Sequence, residues 1–91
     1  MSEKALLEEG KMLIEFINET LPRMIIFNHV YRDKESISEI ISLTPHELLE
    51  LLPEALKELQ DKGLILVNGD SVAKTEYGIK LYNTVFRTLI S

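Results

Sequence analysis

Apolar and polar residues recur along this chain mostly with helical spacing, and one short stretch instead has the pattern of a β-hairpin. Between residues 3 and 21, the polar side chains return every three or four positions and form a single stripe around a helical wheel. The apolar residues of this segment spread over more than half of the wheel, although a surface helix needs an apolar arc of only about 100°. The segment is therefore predicted to be a helix with apolar contacts on two sides.

The apolar segment 23–31 follows Pro22, which marks a helix boundary. A short apolar run of this kind is compatible with either a buried helix or a buried strand. We favour a helix in which four side chains face inward: Met24, Ile25, Phe27 and Val30.

Two consecutive capping patterns predict two further helix starts. Ser36 and Glu39 form a capping box, in which each side chain satisfies a free backbone N–H at the start of the helix. Thr44 repeats the pattern, with Pro45 at the first helical position and Glu47 three residues after the threonine. The first box predicts a short helix, and the second predicts a longer one.

The longer helix is predicted to run to Lys62, since Gly63 suits the left-handed conformation that ends many helices. Pro53 lies inside this segment and has no N–H to donate to the preceding turn. Two alternatives remain here: a kinked helix, or two helices with a break at Leu52 and Pro53.

A hairpin pattern follows the longer helix. A four-residue apolar run leads to Asn68 and Gly69, the strongest short-range signal for a tight turn, and 71–74 has the pattern of the returning strand. A type I′ turn centred on this dipeptide has positive φ at both residues. Thr75 then caps a predicted last helix, 76–90, whose apolar residues again cover more than half of the wheel.

Composition and charge narrow the functional classes. The 91 residues suit one domain, the net charge is −5, and there is no cysteine for disulfides, thiolate catalysis or cysteine metal sites. No segment approaches the roughly 18 consecutive apolar residues of a membrane span, and the first residues lack the pattern of a signal peptide. A cytoplasmic protein without membrane contact is therefore expected.

Known catalytic motifs are absent from the sequence, which has no glycine-rich phosphate loop, nucleophile elbow or zinc-protease motif. His29 and His46 have no second histidine at metal-ligand spacing. We interpret His29 as a packed helix residue and His46 as a solvated one. The sequence predicts a protein that is not an enzyme and has no cofactor, metal ion or small-molecule ligand.

Three segments of the sequence, taken together, have a pattern typical of a known superfamily. They are the capped Ser36-Ile-Ser-Glu-Ile40, the stretch Leu56-Lys-Glu-Leu-Gln-Asp-Lys-Gly-Leu-Ile65, and Thr75-Glu-Tyr-Gly78 after the hairpin. Together they resemble the winged helix-turn-helix superfamily, and within it the small prokaryotic regulators of the MarR, PadR and ArsR type. The resemblance covers roughly residues 22–82.

The resemblance implies a mainly α fold with a small β-hairpin (α+β): a winged helix-turn-helix with added N- and C-terminal helices. Residues 1–91 would form one domain, with an N-terminal helix at 1–21 and a C-terminal helix at 76–91. Between them, 22–75 would form the winged-helix core, with the wing at 64–75. Folds of this kind host many functions, so function has to be argued from the surface.

Two features depart from the DNA-binding members of these families. Their third helix presents polar and basic residues to DNA, whereas the corresponding outward face here is mostly acidic: His46, Glu47, Glu50, Glu54, Lys57, Glu58, Gln60 and Asp61. The wing tip, Asn68-Gly69-Asp70, carries no lysine or arginine. Because DNA affinity depends on neutralising phosphates with lysine and arginine, this face is unsuited to duplex DNA.

The sequence therefore predicts a non-catalytic accessory or adaptor protein of an assembly that acts on DNA, in transcription or replication, mainly through protein contacts and with weak DNA binding at most. Its predicted partner is a protein with a basic surface or a second copy of the chain. The acidic helix face would bind it: Glu47, Glu50, Glu54, Lys57, Glu58 and Asp61. The alternative is a homodimeric DNA-binding regulator of the PadR/MarR type, with four candidate DNA contacts: Arg32, Lys34, Lys57 and Lys74.

The two terminal helices carry more apolar surface than one small core hides, and exposed apolar patches mark interfaces. Five side chains are predicted to form a helix–helix seam between subunits or against a partner: Leu13, Ile17, Tyr82, Phe86 and Leu89. The alternative is that the two helices pack on each other within the monomer.

Overall fold

The computed structural model describes residues 3–86, which form a mainly helical fold with a two-stranded antiparallel hairpin. The first three helices are α1 (Glu3–Asn18), α2 (Leu21–Val30) and α3 (Ile37–Ser42). A 3₁₀ helix (His46–Leu51) leads directly into α4 (Leu52–Asp61). The hairpin strands are β1 (Ile65–Asn68) and β2 (Ser71–Lys74), and α5 (Glu76–Leu81) continues as a π-helical turn (Tyr82–Phe86).

The segment after the first helix is helical, as predicted, but its inward face differs from the prediction. Thr20 caps α2 by accepting a hydrogen bond from the Arg23 backbone N–H (3.4 Å). The buried side chains of α2 are Pro22, Arg23, Ile26, Phe27 and Val30, whereas the predicted Met24 and Ile25 are only half-buried. Phe27 and Val30 are buried as predicted, but the prediction did not place the charged Arg23 or Ile26 inside. Positions 23, 26, 27 and 30 have the spacing of one helix face.

The first capping box holds in part, and the second does not. Ser36 accepts a hydrogen bond from the Glu39 N–H (3.3 Å), while the Glu39 carboxylate lies 3.4 Å from Lys34 Nζ. Thr44 is buried and donates its hydroxyl hydrogen to the Ile40 carbonyl oxygen (2.6 Å), so it ends α3 instead of capping the next helix. The predicted capping role of Thr44 is therefore wrong, whereas a helix does begin at His46, one residue after the predicted first position.

Of the two alternatives for the segment around Pro53, the structure has two helices that meet at Leu51 and Leu52. The 3₁₀ helix ends at Leu51, and Pro53 lies in the first turn of α4. A proline costs little there, because the first-turn N–H groups have no partner within the helix. Gly63 follows α4 with φ 76°, the left-handed conformation expected at that position.

The hairpin turn is shifted by one residue from the prediction. Asn68 pairs with Ser71, so the two central residues of the turn are Gly69 and Asp70. Of these two, only Gly69 has positive φ (61°), which is the pattern of a type II′ turn and not of type I′. The predicted turn at Asn68 and Gly69 was wrong because Asp70 is held in the turn by contacts with α3.

A short bridge ties the hairpin to the segment between α2 and α3. Ser36 and Ser71 form an isolated antiparallel β-bridge. On its two sides, the Ile37 N–H donates to the Asp70 carbonyl (2.7 Å), and the Val72 N–H donates to the Glu35 carbonyl (3.0 Å). The backbone before α3 therefore lies along β2 as a third, very short strand.

One apolar core joins all of these elements. Its fully buried side chains come from α2, α3, α4, the hairpin and α5: Ile26, Val30, Ile40, Leu59, Leu64, Ile65, Val72 and Leu81. α1 packs against α2 and the π-helical turn and adds Leu6, Leu13 and Ile17 to the core. Thr75 caps α5, as predicted, by accepting a hydrogen bond from the Gly78 N–H (2.9 Å).

Candidate functional site

The outward surface of the 3₁₀ helix and α4 is set by the residues that these elements bury. Leu52, Ala55 and Leu59 face the core, and α4 packs through this side against α2. Four predicted site residues remain exposed on the opposite side, and we call them the acidic surface: Glu47, Glu50, Glu54 and Asp61. None of the four belongs to an ion pair among the described residues.

Glu58 belongs to the predicted face but is bound inside the chain. Its two carboxylate oxygens accept hydrogen bonds from Arg23, at 2.6 Å from Nη2 and 3.3 Å from Nε. Arg23 Nη1 also donates to Glu19 (2.8 Å) and to the carbonyl oxygen of Phe16 (2.9 Å). The hydrogen bonds from Arg23 lower the pKa of Glu58. Glu58 therefore ties α4 to α2 and is not available to a partner.

This contact predicts a loss of stability in acid. Since the pKa of Glu58 is lower in the folded protein than its ordinary value of 4.5, its contribution is complete above pH 4.5 and is lost as pH falls below that value. We expect thermal unfolding of Glu58→Gln to depend less on pH between 5 and 3 than that of the native chain. Glu54→Gln, which removes an exposed carboxylate on the same helix, is the control. Identical pH profiles for Glu58→Gln and the native chain would contradict this role.

Two other residues of the predicted face have different surroundings. Gln60 Oε1 accepts a hydrogen bond from the Val67 backbone N–H (2.6 Å), so this side chain links α4 to β1. His46 is exposed at the start of the 3₁₀ helix. Lys57 is exposed on α4, where it is the only cation among the predicted residues of this face.

The four candidate DNA contacts do not lie together on this surface. Lys34 pairs with Glu39, and Lys74 Nζ lies 2.5 Å from Asp33 Oδ1, a contact that lowers the pKa of Asp33. Lys74 ends β2, at the opposite end of the hairpin from its turn. Arg32 is exposed beside Asp33 in the chain. Of the four candidate DNA contacts, Lys57 is therefore the one that lies on α4.

The predicted helix–helix seam is formed, as far as it is described, within one chain. Leu13 and Ile17 are 8% and 6% exposed and belong to the core. Tyr82 is half-buried, and its ring centroid lies 5.3 Å from that of Tyr31. Leu89 and the side chain of Phe86 lie outside the described residues.

Sequence reasoning missed an apolar groove beside the acidic surface. This groove, of about 110 Å³, lies between α3 on one side and the 3₁₀ helix and α4 on the other. Six apolar residues line it: Ile37, Ile41, Leu49, Leu52, Pro53 and Leu56. The signal was present in the dense leucines of 48–56, which the sequence analysis did not interpret.

A second cleft, of about 270 Å³, lies between α1, α2 and the π-helical turn. Its lining mixes apolar side chains with Asn18, Asn28 and Arg32. It adjoins Tyr82, after which the described part of the chain soon ends.

Asp70 is a second feature that the sequence did not reveal. Its carboxylate accepts hydrogen bonds from the Ser36 hydroxyl (2.8 Å), the Ser38 hydroxyl (2.7 Å) and the Ser38 backbone N–H (3.0 Å). These bonds lower the pKa of Asp70. Asp70 is therefore part of the fold, since it fastens the hairpin turn to the start of α3.

Comparisons with known proteins identify no family. No protein-family model, curated protein or solved structure matches the chain. Among the described residues, no group of three or more His, Cys, Asp or Glu side chains is placed to hold a metal ion. No helix within 3–86 is both long enough and apolar enough to cross a membrane.

Proposed function

We propose that this chain is a non-catalytic winged-helix accessory protein that binds another protein through the surface of its 3₁₀ helix and α4. The order of elements supports the winged-helix part of the proposal. α2 is followed by the bridge at Ser36, then by α3, α4 and the hairpin, and α5 begins at a capping threonine. The order of the helices and the hairpin is the one implied by the resemblance to the MarR, PadR and ArsR regulators.

The single observation that carries the function is the charge of the surface on which such regulators read DNA. The acidic surface has four carboxylates without an ion-pair partner among the described residues, and Lys57 is the only predicted cation beside them. Two like charges about 4 Å apart repel by roughly 1 kcal/mol in water and by more near a protein surface. Duplex DNA is repelled by this surface, whereas a basic protein surface is attracted to it.

The resemblance suggests the setting in which the chain works. Winged-helix proteins of these families act in transcription, so we place the partner in an assembly that acts on DNA, in transcription or replication. In this role the chain needs no catalytic residue, and its contribution is to bind and position the partner.

The alternative is a homodimeric DNA-binding regulator of the PadR/MarR type. The contact of Lys74 with Asp33 favours it, because the two chain neighbours of Asp33 are the cations Arg32 and Lys34. Lys34 and Lys74 are already paired with carboxylates, which reduces the positive charge that phosphates would meet.

A DNA-binding titration separates the two functions. We expect the native chain to bind a fluorescent DNA duplex with a Kd weaker than about 10⁻⁶ M at physiological salt. Replacing Glu50, Glu54 and Asp61 by lysine should create affinity that falls steeply with salt, by about 0.9 in log K per log unit of salt for each new phosphate contact. The same replacement should slow association with a basic protein partner.

The control triple variant makes the same change in net charge elsewhere, at the exposed Glu8, Glu15 and Glu76. It should gain less DNA affinity than the variant at Glu50, Glu54 and Asp61, because its charges lie away from the proposed surface. Nanomolar binding of a specific duplex by the native chain would overturn the accessory role and support the regulator.

A further inference from the structure

Further exposed apolar side chains lie close in the chain to the segments that line the groove between α3 and α4. Ile41 lines the groove and is 44% exposed, while Leu43, just after α3, and Leu51, at the end of the 3₁₀ helix, are each 49% exposed. Single exposed leucines are normal on protein surfaces, but several on adjoining elements beside a groove form a patch. Such patches are typical of sites that bind another molecule.

The size of the groove limits what enters it. Its volume of about 110 Å³ is somewhat below the roughly 150 Å³ of a cavity that takes up one benzene molecule. The groove therefore accommodates one aliphatic side chain, such as that of leucine, and the surrounding apolar residues can contact a second one.

The surrounding charge limits which molecule supplies that side chain. Segment 36–62, which forms both sides of the groove, contains six acidic residues and two lysines. Two of the acidic residues, Glu39 and Glu58, are paired within the chain, and the other four form the acidic surface. Lys62 lies over the Phe16 ring, 5.0 Å from its centroid, so Lys57 is the cation that remains for this surface. A second copy of the chain would bring the same negative charge, and DNA would bring phosphates, so both are repelled.

We infer that this groove binds a basic amphipathic helical segment of another protein, with one leucine-like side chain in the groove and lysine or arginine side chains beside the acidic surface. Helices that lay an apolar face into a groove are a common mode of peptide recognition. The inference rests on the proposed protein-binding function and adds to it the chemistry of the partner.

A designed peptide tests the inference on the full chain. The probe is a fluorescein-labelled helical peptide of about 15 residues, built from leucine and lysine, and its counterpart has glutamate in place of lysine. We expect micromolar binding of the lysine peptide, weakening with salt, with NMR shifts concentrated at Ile37, Ile41 and Leu56. Binding of the glutamate peptide should not be measurable.

Two matched variants distinguish the groove from general attraction to an acidic protein. Ile41→Ser should weaken peptide binding by about tenfold or more, which corresponds to roughly 1.4 kcal/mol. Ile79→Ser changes a similarly exposed isoleucine (40%) on α5 and should leave binding unchanged. Circular dichroism of both variants checks that they are folded.

Other results of these measurements would contradict either the groove inference or the proposed function. Equal loss of binding in the two variants, shifts located away from the groove, or no binding would overturn the groove inference while leaving the protein-binding function standing. An oligomer of the native chain that Ile41→Ser dissociates would show that a second copy occupies the groove, and would also overturn the inference. Tight binding of duplex DNA by the native chain would overturn the proposed function itself.

Discussion

Replacing Gly78 by alanine is expected to destabilise the protein by about 3 kcal/mol, at the upper end of the usual cost of overpacking a core. A Cβ atom at this position would lie 1.8 Å from the Tyr31 hydroxyl oxygen and 2.8 Å from the carbonyl oxygen of Leu64. Neither atom moves away easily. Tyr31 donates its hydroxyl hydrogen to Leu64 (2.6 Å), and its ring stacks on Phe27 with centroids 4.4 Å apart. In urea unfolding, this loss of stability should appear as a lower midpoint concentration of urea.

The partner of this clash can be removed, which gives a sharp control. Tyr31→Phe takes away the hydroxyl group and its hydrogen bond, and it should cost about 1 kcal/mol alone. In the double variant with Gly78→Ala, the total loss of stability should be smaller than the sum of the two single losses. The reason is that the closest contact of the new methyl group no longer exists. Gly69→Ala is a second control, since a Cβ there has no atom within 4 Å and only the positive φ is strained. Fully additive losses would contradict this account of Gly78.

The features that the sequence predicted well depend on short stretches of chain. Thr75 caps α5, Ser36 caps α3, and Gly63 ends the helix before the hairpin, and each of these contacts lies within a few residues. Such signals are readable because the side chain and the backbone group that it satisfies are neighbours in sequence.

The features that the sequence did not reveal depend on distant partners. Arg23 and Glu58 are 35 positions apart, and Ser38 and Asp70 are 32 apart. A charged residue is normally assigned to the surface, so neither the burial of Arg23 nor the contacts of Asp70 with α3 follow from periodicity. Asp70 in turn explains why the hairpin turn lies one residue later than the Asn-Gly signal indicates.

The groove is lined in part by a 3₁₀ helix that the sequence did not predict. An α-helix rotates by about 100° per residue, whereas a 3₁₀ helix such as His46–Leu51 rotates by about 120°. Over the five steps from His46 to Leu51 the difference grows to about 100°. Glu54 and Asp61 of α4 are exposed as predicted, whereas Glu58 is half-buried against Arg23. Leu49 and its neighbours were not recognised as the wall of a groove.

The wide apolar faces of the two terminal helices were predicted to contact either another chain or each other. α1 packs against α2 and the π-helical turn, and the Tyr77 hydroxyl donates a hydrogen bond to Glu9, which ties α5 to α1. Leu13 and Ile17 therefore already lie inside one chain. This favours the interpretation in which the seam stabilises the monomer, and it changes the expected result of charging the seam.

Replacing Ile17 by glutamate is expected to unfold the protein or release α1, with a loss of about 4 kcal/mol or more. The native side chain is 6% exposed, so the change removes a buried aliphatic group and puts a charge in its place. A domain of this size has a total stability of only about 5–15 kcal/mol, so the effect should be visible in circular dichroism and urea unfolding. The matched control is Met12→Glu on the same helix, where the native side chain is 71% exposed and the change should stay within about 0.5 kcal/mol.

Sedimentation of the same samples distinguishes the two interpretations of the seam. One result would contradict the monomer interpretation: a native oligomer that Ile17→Glu converts into a folded monomer of native stability. The seam would then lie between subunits, and α1 would not depend on Ile17 for its position in the monomer.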